Sequence, residues 1–300
     1  MTAKTGKQAA FAPGDHRFTL PHQGRERSYF LHLPQHCVAG HPLPLVLALH
    51  GNGTNALGMM EFCGLNDKAD AAGFIVVYPN GTGRVAKALS WNAGNCCSHA
   101  FKHRVDDVGF ITALLDDVQS RLPVDGQRVY ATGMSNGAMM CYRLALELSQ
   151  RVAAIAPVAG PIGCRDCQPE RPVPLLHFHG TADLYTPYAG GRGPRSPSQT
   201  DFVSVDQTIA TWVTSVGAPA WPRIAQRPAA HPGDLPATIK TWGPGRDGAE
   251  VVLVTIEGGG HTWPGRKPTL EFLGNSALNI PANDMLWDFF MRHPLRVMTR

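Results

Sequence analysis

Residues 128–140 of the chain read RVYATGMSNGAMM, and this stretch decides the fold. Residues 128–132 are predicted to form a strand and residues 136–148 a helix. Between them lies a G-x-S-x-G pattern, in which a strained turn lifts the serine oxygen above the edge of a sheet. The flanking glycines let the backbone turn without a Cβ clash. An ordinary Gly-Ser turn would also fit this pattern, but the strand before it and the helix after it favour Ser135 as a nucleophile.

A serine hydroxyl needs a base that takes its proton. In a sheet of this type the chain order is serine, acid, histidine, and His261 fits the last place. It lies in the segment GGGHTWPG, directly after a predicted strand at residues 251–256. His177 and His179 precede the acid and are expected to be structural residues at a strand end. His231 and His293 are further competitors, and His293 is expected to be solvated at the end of the last helix.

The acid is predicted to be Asp183, which follows a predicted strand at residues 174–178. A buried carboxylate at this point would hold the histidine tautomer and stabilise the imidazolium. Asp201 and Asp206 are rivals, but they lie at the start of a predicted helix, where capping or pairing with the helix dipole is the simpler role. The same role is expected of two aspartates that precede the serine, Asp106 and Asp107.

The oxyanion hole needs two backbone N–H donors that point at one position. The amide of Asn136, directly after the nucleophile, is the first candidate. The second is expected from the loop HGNGT after the predicted strand at residues 43–49. Asn52 is the candidate there, with Gly51 and Gly53 as near alternatives.

The rest of the chain alternates between predicted strands and helices, which indicates an α/β fold with a mostly parallel sheet covered by helices on both faces. Residues 1–26 are expected to form an N-terminal extension and edge strand, and residues 27–295 a single catalytic domain. Residues 27–33 are predicted to be an antiparallel edge strand, residues 56–72 one helix, and residues 218–236 a surface excursion.

Composition excludes several functional classes. The chain has 300 residues, of which 43% are hydrophobic, and a net charge of +4 that is not concentrated in one stretch, so nucleic-acid binding is not expected. No apolar run reaches the roughly 18 residues that a membrane helix needs, and no signal peptide is visible at the start.

The chain contains seven cysteines, a number that favours disulfides in an oxidising compartment with at least one thiol left over. Cys96 and Cys97 are adjacent, and Cys164 and Cys167 form a C-x-x-C pair. Two others, Cys63 and Cys141, would fit equally well as small buried hydrophobic residues.

A metal or nucleotide cofactor is not expected. Cys96, Cys97, His99 and His103 could outline a zinc site, but the C-x-x-C pair is distant in sequence. The chain has no glycine pattern typical of a Rossmann or P-loop site.

Several motifs occur together and in order, and as a set they resemble the polyhydroxybutyrate depolymerase and feruloyl esterase group of secreted bacterial esterases. The motifs are His50-Gly51, Tyr78-Pro79-Asn80-Gly81, Trp91-Asn92, Cys96-Cys97, Val105-Asp106-Asp107-Val108-Gly109-Phe110, the GMSNG turn, HGTAD and GGGHTWPG. The resemblance runs from about Arg27 to the last helix. It implies an α/β-hydrolase domain, a secreted or periplasmic location, no cofactor, and Ser135, Asp183 and His261 as the catalytic triad. It also implies that Trp91 and Trp263 line the cleft. Asn52 stands where many depolymerase-like members have Cys.

The predicted activity is hydrolysis of ester bonds in polymeric or polymer-linked substrates. The same group includes poly(aspartic acid) hydrolases, and predicted active-site loops carry cations, among them Lys102 and Arg192. An alternative hypothesis is therefore hydrolysis of amide bonds in an anionic polymer that contacts these two residues. A non-catalytic binding protein on the same fold is the alternative from another class. The sequence predicts neither a nucleic-acid nor a membrane partner and leaves the oligomeric state open.

Overall fold

The computed structural model describes residues 11–35, 41–164, 168–268 and 270–296. In this part of the chain the strands are β1 (Gly14–His22), β2 (Arg25–Leu33), β3 (Leu43–Leu49), β4 (Ile75–Pro79), β5 (Thr82–Val85), β6 (Ala88–Ser90), β7 (Val124–Met134), β8 (Ile155–Val158), β9 (Leu175–Gly180), β10 (Arg223–Arg227), β11 (Ala237–Trp242) and β12 (Val251–Ile256). The helices are α1 (Ala56–Cys63), α2 (Leu65–Ala72), α3 (Ser98–Lys102), α4 (Asp107–Arg121), α5 (Asn136–Glu147), α6 (Val205–Val216) and α7 (Ala282–Arg292). No helix in these ranges combines the length and the apolar character that crossing a bilayer requires.

Ten strands form one sheet in the order β1-β2-β4-β3-β7-β8-β9-β12-β11-β10. The six strands from β4 to β12 are parallel, and an antiparallel pair flanks them on each side. This arrangement confirms the predicted α/β-hydrolase fold with its mostly parallel sheet. The small hairpin of β5 and β6 lies outside this sheet.

Two sequence-based assignments near the sheet edges were wrong, whereas the edge strand expected within residues 1–26 is present as β1. Residues 27–33 belong to β2, and β1 pairs along its outer side and takes the edge position. At the opposite edge, the predicted surface excursion contains β10, whose residues are all exposed. Both edge strands bury few side chains, so neither carries the hydrophobic pattern that marks an inner strand.

The alternating side chains of β3 show how the sheet separates two cores. Leu45, Leu47 and Leu49 pack in a core with side chains from α4, α5 and α6. Val46 and Ala48 point to the other side, into a core with side chains from α1, α2 and α7. Successive side chains of a strand face opposite ways, so a strand buried on both faces is continuously apolar, as the LPLVLAL segment is.

The single helix predicted for residues 56–72 is two helices, because the chain breaks at Gly64. This residue has φ 57° and ψ 35°, the left-handed conformation that ends α1, and its N–H donates to the Met60 carbonyl. Glycine adopts this conformation at little cost, and α2 starts directly afterwards.

Asp106 and Asp107 have different roles at the start of α4. Asp106 is the N-cap and accepts from the Gly109 amide at 2.9 Å, as the sequence predicts. Asp107 is fully buried and pairs with the guanidinium of Arg27 in β2 at 2.7 Å. Its second oxygen accepts from the Asn92 amide at 2.8 Å. A buried charge requires such partners, and this pair ties β2, α4 and the loop after β6 together.

His50, directly after β3, makes folding stability dependent on pH. Its Nδ1 donates to the Gly51 carbonyl and its Nε2 accepts from the Gly81 amide. Burial lowers the pKa of His50 from 6.5 to about 4. Between these two values the unfolded chain binds a proton that the native state does not, so stability is fully present above pH 6.5 and is lost as the pH falls towards 4.

We therefore expect the free energy of unfolding to fall by about 3 kcal/mol from this group alone between neutral pH and pH 4. Urea denaturation at a series of pH values measures this fall. The variant His50→Gln should be less stable at pH 7 but show a shallower pH dependence, whereas His231→Gln, at an exposed position, should keep the wild-type slope. An unchanged slope in His50→Gln would contradict the assignment.

Candidate active site

Ser135 occupies the sharp turn between β7 and α5, as the sequence predicts. Its backbone has φ 58° and ψ −118°, a conformation that side-chain-bearing residues seldom adopt. The Ser135 amide donates to the Val158 carbonyl of β8 at 2.9 Å. A Cβ atom at Gly137 would collide with the carbonyl oxygen of Leu49. Glycine is therefore needed on the helix side of the turn for the first turn of α5 to pack directly against β3.

His261 and Asp183 form a buried hydrogen-bonded pair. Nδ1 of His261 lies 2.7 Å from Oδ2 of Asp183, and both residues are less than one tenth exposed. The other carboxylate oxygen accepts from the amides of Tyr185 at 2.8 Å and Thr186 at 2.9 Å. The Thr186 hydroxyl lies 3.0 Å from Oδ2. These contacts fix the carboxylate and direct its free lone pair at the imidazole.

The Asp183 carboxyl group stays ionised despite its burial. Burial alone would raise the pKa of this group, but the neighbouring His261, then His179 and the Thr186 amide, hold it at about 2. A carboxylate that is ionised across the working range of most enzymes is what an imidazolium needs as a partner.

The pair comes together because β9 and β12 are neighbouring parallel strands, with Gly180 opposite Ile256 at their carboxyl ends. Beyond these ends the two loops remain in backbone contact, since the Ala182 amide donates to the Gly259 carbonyl at 2.9 Å. A Cβ atom at Gly180 would collide with that carbonyl. The glycines of this region thus permit the close approach that brings Asp183 to His261.

A cavity of about 620 Å³ opens over this end of the sheet, and both Ser135 and His261 line it. The two candidate oxyanion residues, Asn136 and Asn52, line it as well, as do the alternatives Gly51 and Gly53. The structure thus brings the predicted nucleophile, base and amide donors to one cavity, and the predicted acid lies directly behind the base. A volume of this size is typical of a small-molecule site.

The structure places Trp91 and Trp263 elsewhere than the resemblance implies. Trp91 is fully buried, its indole donates to the His50 carbonyl at 2.9 Å, and its backbone is held by the Asn136 side chain. Trp263 is 2% exposed and its indole donates to Asn283. Neither lines the cavity, so the expectation that they line the cleft was wrong; both hold neighbouring loops in place.

The expected cationic contacts are only partly present at the cavity. Lys102 and Arg192 are exposed and do not line it, so a contact of these two residues with substrate stays a prediction for a chain that extends beyond the cavity. Two other loop cations lie closer: Arg195 donates to the Phe272 carbonyl at 3.0 Å and Arg266 to the Glu61 carbonyl at 3.3 Å. Both guanidinium groups thus donate to backbone carbonyls of residues that line the cavity.

Tyr185 is the residue beside the base that sequence reasoning missed. Its ring stacks on the His261 imidazole, with ring centroids 5.1 Å apart and planes at 29°. Its position two residues after Asp183 is the one signal that could have identified it. The apolar wall was missed as well, because its residues come from distant segments: Met59, Phe62, Met134, Met139, Phe202, Leu270, Phe272 and Leu273.

The rival acids and bases have other places in the fold. Asp206 lies in the first turn of α6, which is capped by Ser204, and accepts from the Tyr188 hydroxyl. His293 is buried and lies 3.3 Å from a Glu250 oxygen, so the expectation that it is solvated was wrong. His177 and His179 lie inside β9, consistent with the predicted structural position at a strand end.

The four residues that could outline a zinc site have other neighbours. The rings of His99 and His103 lie 4.2 Å apart, and the sulfur atoms of Cys96 and Cys97 contact each other. Cys63 and Cys141 are buried, while Cys167 lies outside the described residues. Within those residues, no three His, Cys, Asp or Glu side chains come together in a potential metal site.

Comparison with known proteins gives the family. Residues 27–164 match the family model described as esterase PHB depolymerase. The chain is 35% identical over 256 residues to the putative esterase NocK of Nocardia uniformis subsp. tsuyamanensis, a match that covers 81% of this chain and 72% of that protein. It is 30% identical over 213 residues to feruloyl esterase B of Piromyces equi, covering 69% of this chain. It spans only 37% of that enzyme's length.

A solved structure with a similar fold is the S-formylglutathione hydrolase of Agrobacterium tumefaciens, with a TM-score of 0.60 and 14% identity over 95% of this chain and 97% of that one. At this identity the likeness concerns the fold alone. Taken with the fold and the relatives above, the family match leads to one conclusion: the chain belongs to the esterase PHB depolymerase family of α/β-hydrolases and is a carboxylic ester hydrolase.

Proposed function

We propose that the protein hydrolyses esters through an acyl-enzyme, with Ser135 as nucleophile, His261 as base and Asp183 as the orienting acid. The observation that carries this proposal is the 2.7 Å contact between His261 Nδ1 and Asp183 Oδ2, behind an imidazole that lines the same cavity as Ser135. The carboxylate fixes the proton on Nδ1, which leaves Nε2 as the acceptor on the cavity side.

The reaction proceeds in two halves. Ser135 Oγ attacks the ester carbonyl carbon while His261 takes the hydroxyl proton, and the carbon–oxygen bond to the alcohol breaks as His261 returns the proton to the leaving oxygen. Water then attacks the acyl-serine ester by the same steps, which releases the acid and restores the hydroxyl. Throughout, the ionised Asp183 stabilises the positive imidazole.

The backbone amides of Asn136 and Asn52 are proposed to bind the oxyanion. Asn136 is the first residue of α5, and the first amides of a helix have no acceptor within the helix. The side chain of Asn136 holds both backbone polar groups of Trp91, at 2.7 and 3.1 Å. The side-chain carboxamide of Asn136 is therefore already occupied. This supports a role in catalysis for the backbone N–H of Asn136 and not for its side chain.

The substrate is proposed to be a neutral ester whose acyl group is largely apolar or aromatic and which is part of, or linked to, a polymer. Met139, Phe202 and Phe272 are among the side chains that form the cavity wall, and of the described residues that line it none is Lys or Arg. Glu61 is the one carboxylate among those lining residues, and it would repel an anionic acyl group. The name of the Piromyces relative, feruloyl esterase B, agrees with an aromatic acyl group.

The alternative, an anionic polymer such as poly(aspartic acid), has weaker support. Arg195 and Arg266 are near the cavity mouth through their contacts with Phe272 and Glu61, but each is already bound to a backbone carbonyl. Polymer chains that extend over the mouth would meet these cations, whereas the reacting acyl group would meet the apolar wall.

We also propose that the enzyme works in a secreted or periplasmic setting. The sulfur atoms of the adjacent Cys96 and Cys97 are in contact, we propose that they form a disulfide, and disulfides persist in oxidising compartments. Cys97 lines the cavity, so this bond would help to fix the cavity wall.

The variant Ser135→Ala is expected to lose ester hydrolysis entirely while it keeps the wild-type unfolding midpoint. Asp183→Asn should lower kcat by about three to four orders of magnitude, because an amide favours the wrong imidazole tautomer.

An organophosphonate, followed by intact-protein and peptide mass spectrometry, should label Ser135 alone. Ser198→Ala, which changes another serine of the cavity wall, is the control and should label normally. Labelling at a different serine would refute the assignment.

The substrate class is tested with p-nitrophenyl acetate, methyl ferulate, polyhydroxybutyrate and poly(aspartate) at low and high salt. We expect the neutral esters to be preferred, with rates that change little with salt. Glu61→Gln should raise the ratio of kcat/KM for an anionic over a neutral ester by about five-fold, because one repulsive charge is removed; Glu26→Gln, at an exposed position in β2, should leave the ratio unchanged. Salt-sensitive hydrolysis of poly(aspartate) in preference to every neutral ester would favour the alternative substrate.

The proposed bond between Cys96 and Cys97 is tested by alkylation of the unfolded protein. Iodoacetamide should modify these two cysteines only after reduction, and Cys63 and Cys141 before it. Peptide mass spectrometry reads this difference directly. Alkylation of Cys96 and Cys97 without prior reduction, in protein prepared under air, would contradict the bond.

A further inference from the structure

Two histidines that the proposed reaction does not use form a hydrogen-bonded chain inside β9. His177 and His179 are both essentially unexposed. The Tyr142 hydroxyl lies 2.8 Å from Nδ1 of His177, and Nε2 of His177 lies 3.0 Å from Nδ1 of His179. Nε2 of His179 lies 2.8 Å from the carbonyl oxygen of Thr186. The chain thus runs from α5 through the strand to the turn that follows Asp183.

The final acceptor determines where the protons are. A backbone carbonyl can only accept, so Nε2 of His179 carries a hydrogen and donates it to Thr186. In a neutral imidazole the other nitrogen then accepts, so Nε2 of His177 donates to it and Nδ1 of His177 accepts from Tyr142. Burial lowers the pKa of both histidines, which agrees with two neutral rings, and every ring nitrogen has a partner.

Thr186 connects this chain to the proposed acid. Its amide donates to Oδ1 of Asp183 at 2.9 Å, and its hydroxyl lies 3.0 Å from Oδ2. The Thr186 carbonyl, on the opposite side of the same residue, is the group that His179 holds. Nε2 of His179 is also 3.6 Å from Oδ2 of Asp183, so the group that holds Thr186 lies close to the carboxylate as well.

From these contacts we propose that His179 is a positioning residue for ester hydrolysis, one that anchors the turn of residues 183–186 to β9 through the Thr186 carbonyl and so keeps the Asp183 carboxylate aimed at His261. This inference rests on the proposed triad and extends it by one residue. His179 does not touch the substrate or the reacting atoms; it acts through Thr186 and Asp183.

A purely structural buried histidine would behave differently. Loss of such a residue lowers stability and leaves the turnover of the folded enzyme unchanged. Loss of a positioning residue lowers kcat of the folded enzyme with little change in KM. The misplaced carboxylate stabilises the transition state less well, while substrate binding is unaffected. We take the scale of the effect from the hydrogen-bond partners of metal-ligating side chains, whose loss typically costs about 10- to 100-fold in metal affinity or activity.

The test compares two amide side chains of different reach. In His179→Gln the amide nitrogen can take the place of Nε2 and donate to Thr186, whereas in His179→Asn it stands near Nδ1 and falls short. His177→Asn is the matched control, because it changes an equally buried histidine on the same face of β9 but leaves the contact between His179 and Thr186. For each variant, kcat and KM with p-nitrophenyl acetate are measured well below its unfolding midpoint.

We expect kcat of His179→Asn to fall roughly 30-fold with KM within about three-fold of the wild-type value, and His179→Gln to recover most of this loss. His177→Asn should be destabilised to a similar degree but keep kcat within about three-fold. Equal kcat losses in His179→Asn and His177→Asn, wild-type kcat in His179→Asn, or no recovery in His179→Gln would each overturn the inference.

The failure of the triad itself has a separate signature. If wild-type protein is not labelled by the phosphonate at Ser135, or Ser135→Ala remains active, the proposed reaction is wrong whatever the His179 variants do. If the serine is labelled and essential while the two His179 variants have equal kcat, only the positioning role is wrong.

Discussion

Gly137 brings the first turn of α5 into backbone contact with the carboxyl end of β3, where any side chain would collide with the Leu49 oxygen. This contact lies in the same turn as Ser135, whose φ of 58° is positive. It also places the loop that carries Asn52 beside the helix N-terminus, so both candidate oxyanion donors depend on it. The positions of the proposed nucleophile and oxyanion donors therefore depend on close packing between the backbones of α5 and β3.

A second close backbone approach, at Gly180 and Gly259, brings the loops of the acid and the base together, as Gly137 brings the loop of the nucleophile against β3. In both places a parallel strand ends against glycine, and the loops beyond it carry the polar residues. The buried polar groups that result are closely satisfied: besides its contact with His261, Asp183 accepts from the amides of Tyr185 and Thr186 within 3.0 Å. A carboxylate so held can remain charged in the interior, and this charge is what the imidazole requires.

The sequence was sufficient for the central strands, the turn at Ser135 and the meeting of Asp183 with His261, because each is encoded by a local pattern and by the order of parallel strands. It was insufficient for β10, since an edge strand whose residues are all exposed carries no apolar run, and it wrongly placed residues 27–33 at the edge. The break at Gly64 was missed because one glycine within a helical pattern is compatible with either outcome. Trp91 and Trp263 were misplaced because burial of an aromatic ring depends on the loops packed around it. The cavity wall could not be derived, since its residues come from segments that are far apart in the chain.

The base and the cavity wall are not independent parts of the molecule. The amide of His261 donates to the carbonyl of Leu273 at 2.7 Å, and Leu270, Phe272 and Leu273 line the cavity. Redesign of this segment for a new acyl group would therefore also displace the base, whereas in the part of the chain that the structure describes Met59 and Phe62 of α1 make no hydrogen bond to His261 itself. Directed evolution towards new substrates should accordingly accept changes in α1 more readily than changes at residues 270–273, and family members that differ in selectivity should diverge first on the helical side.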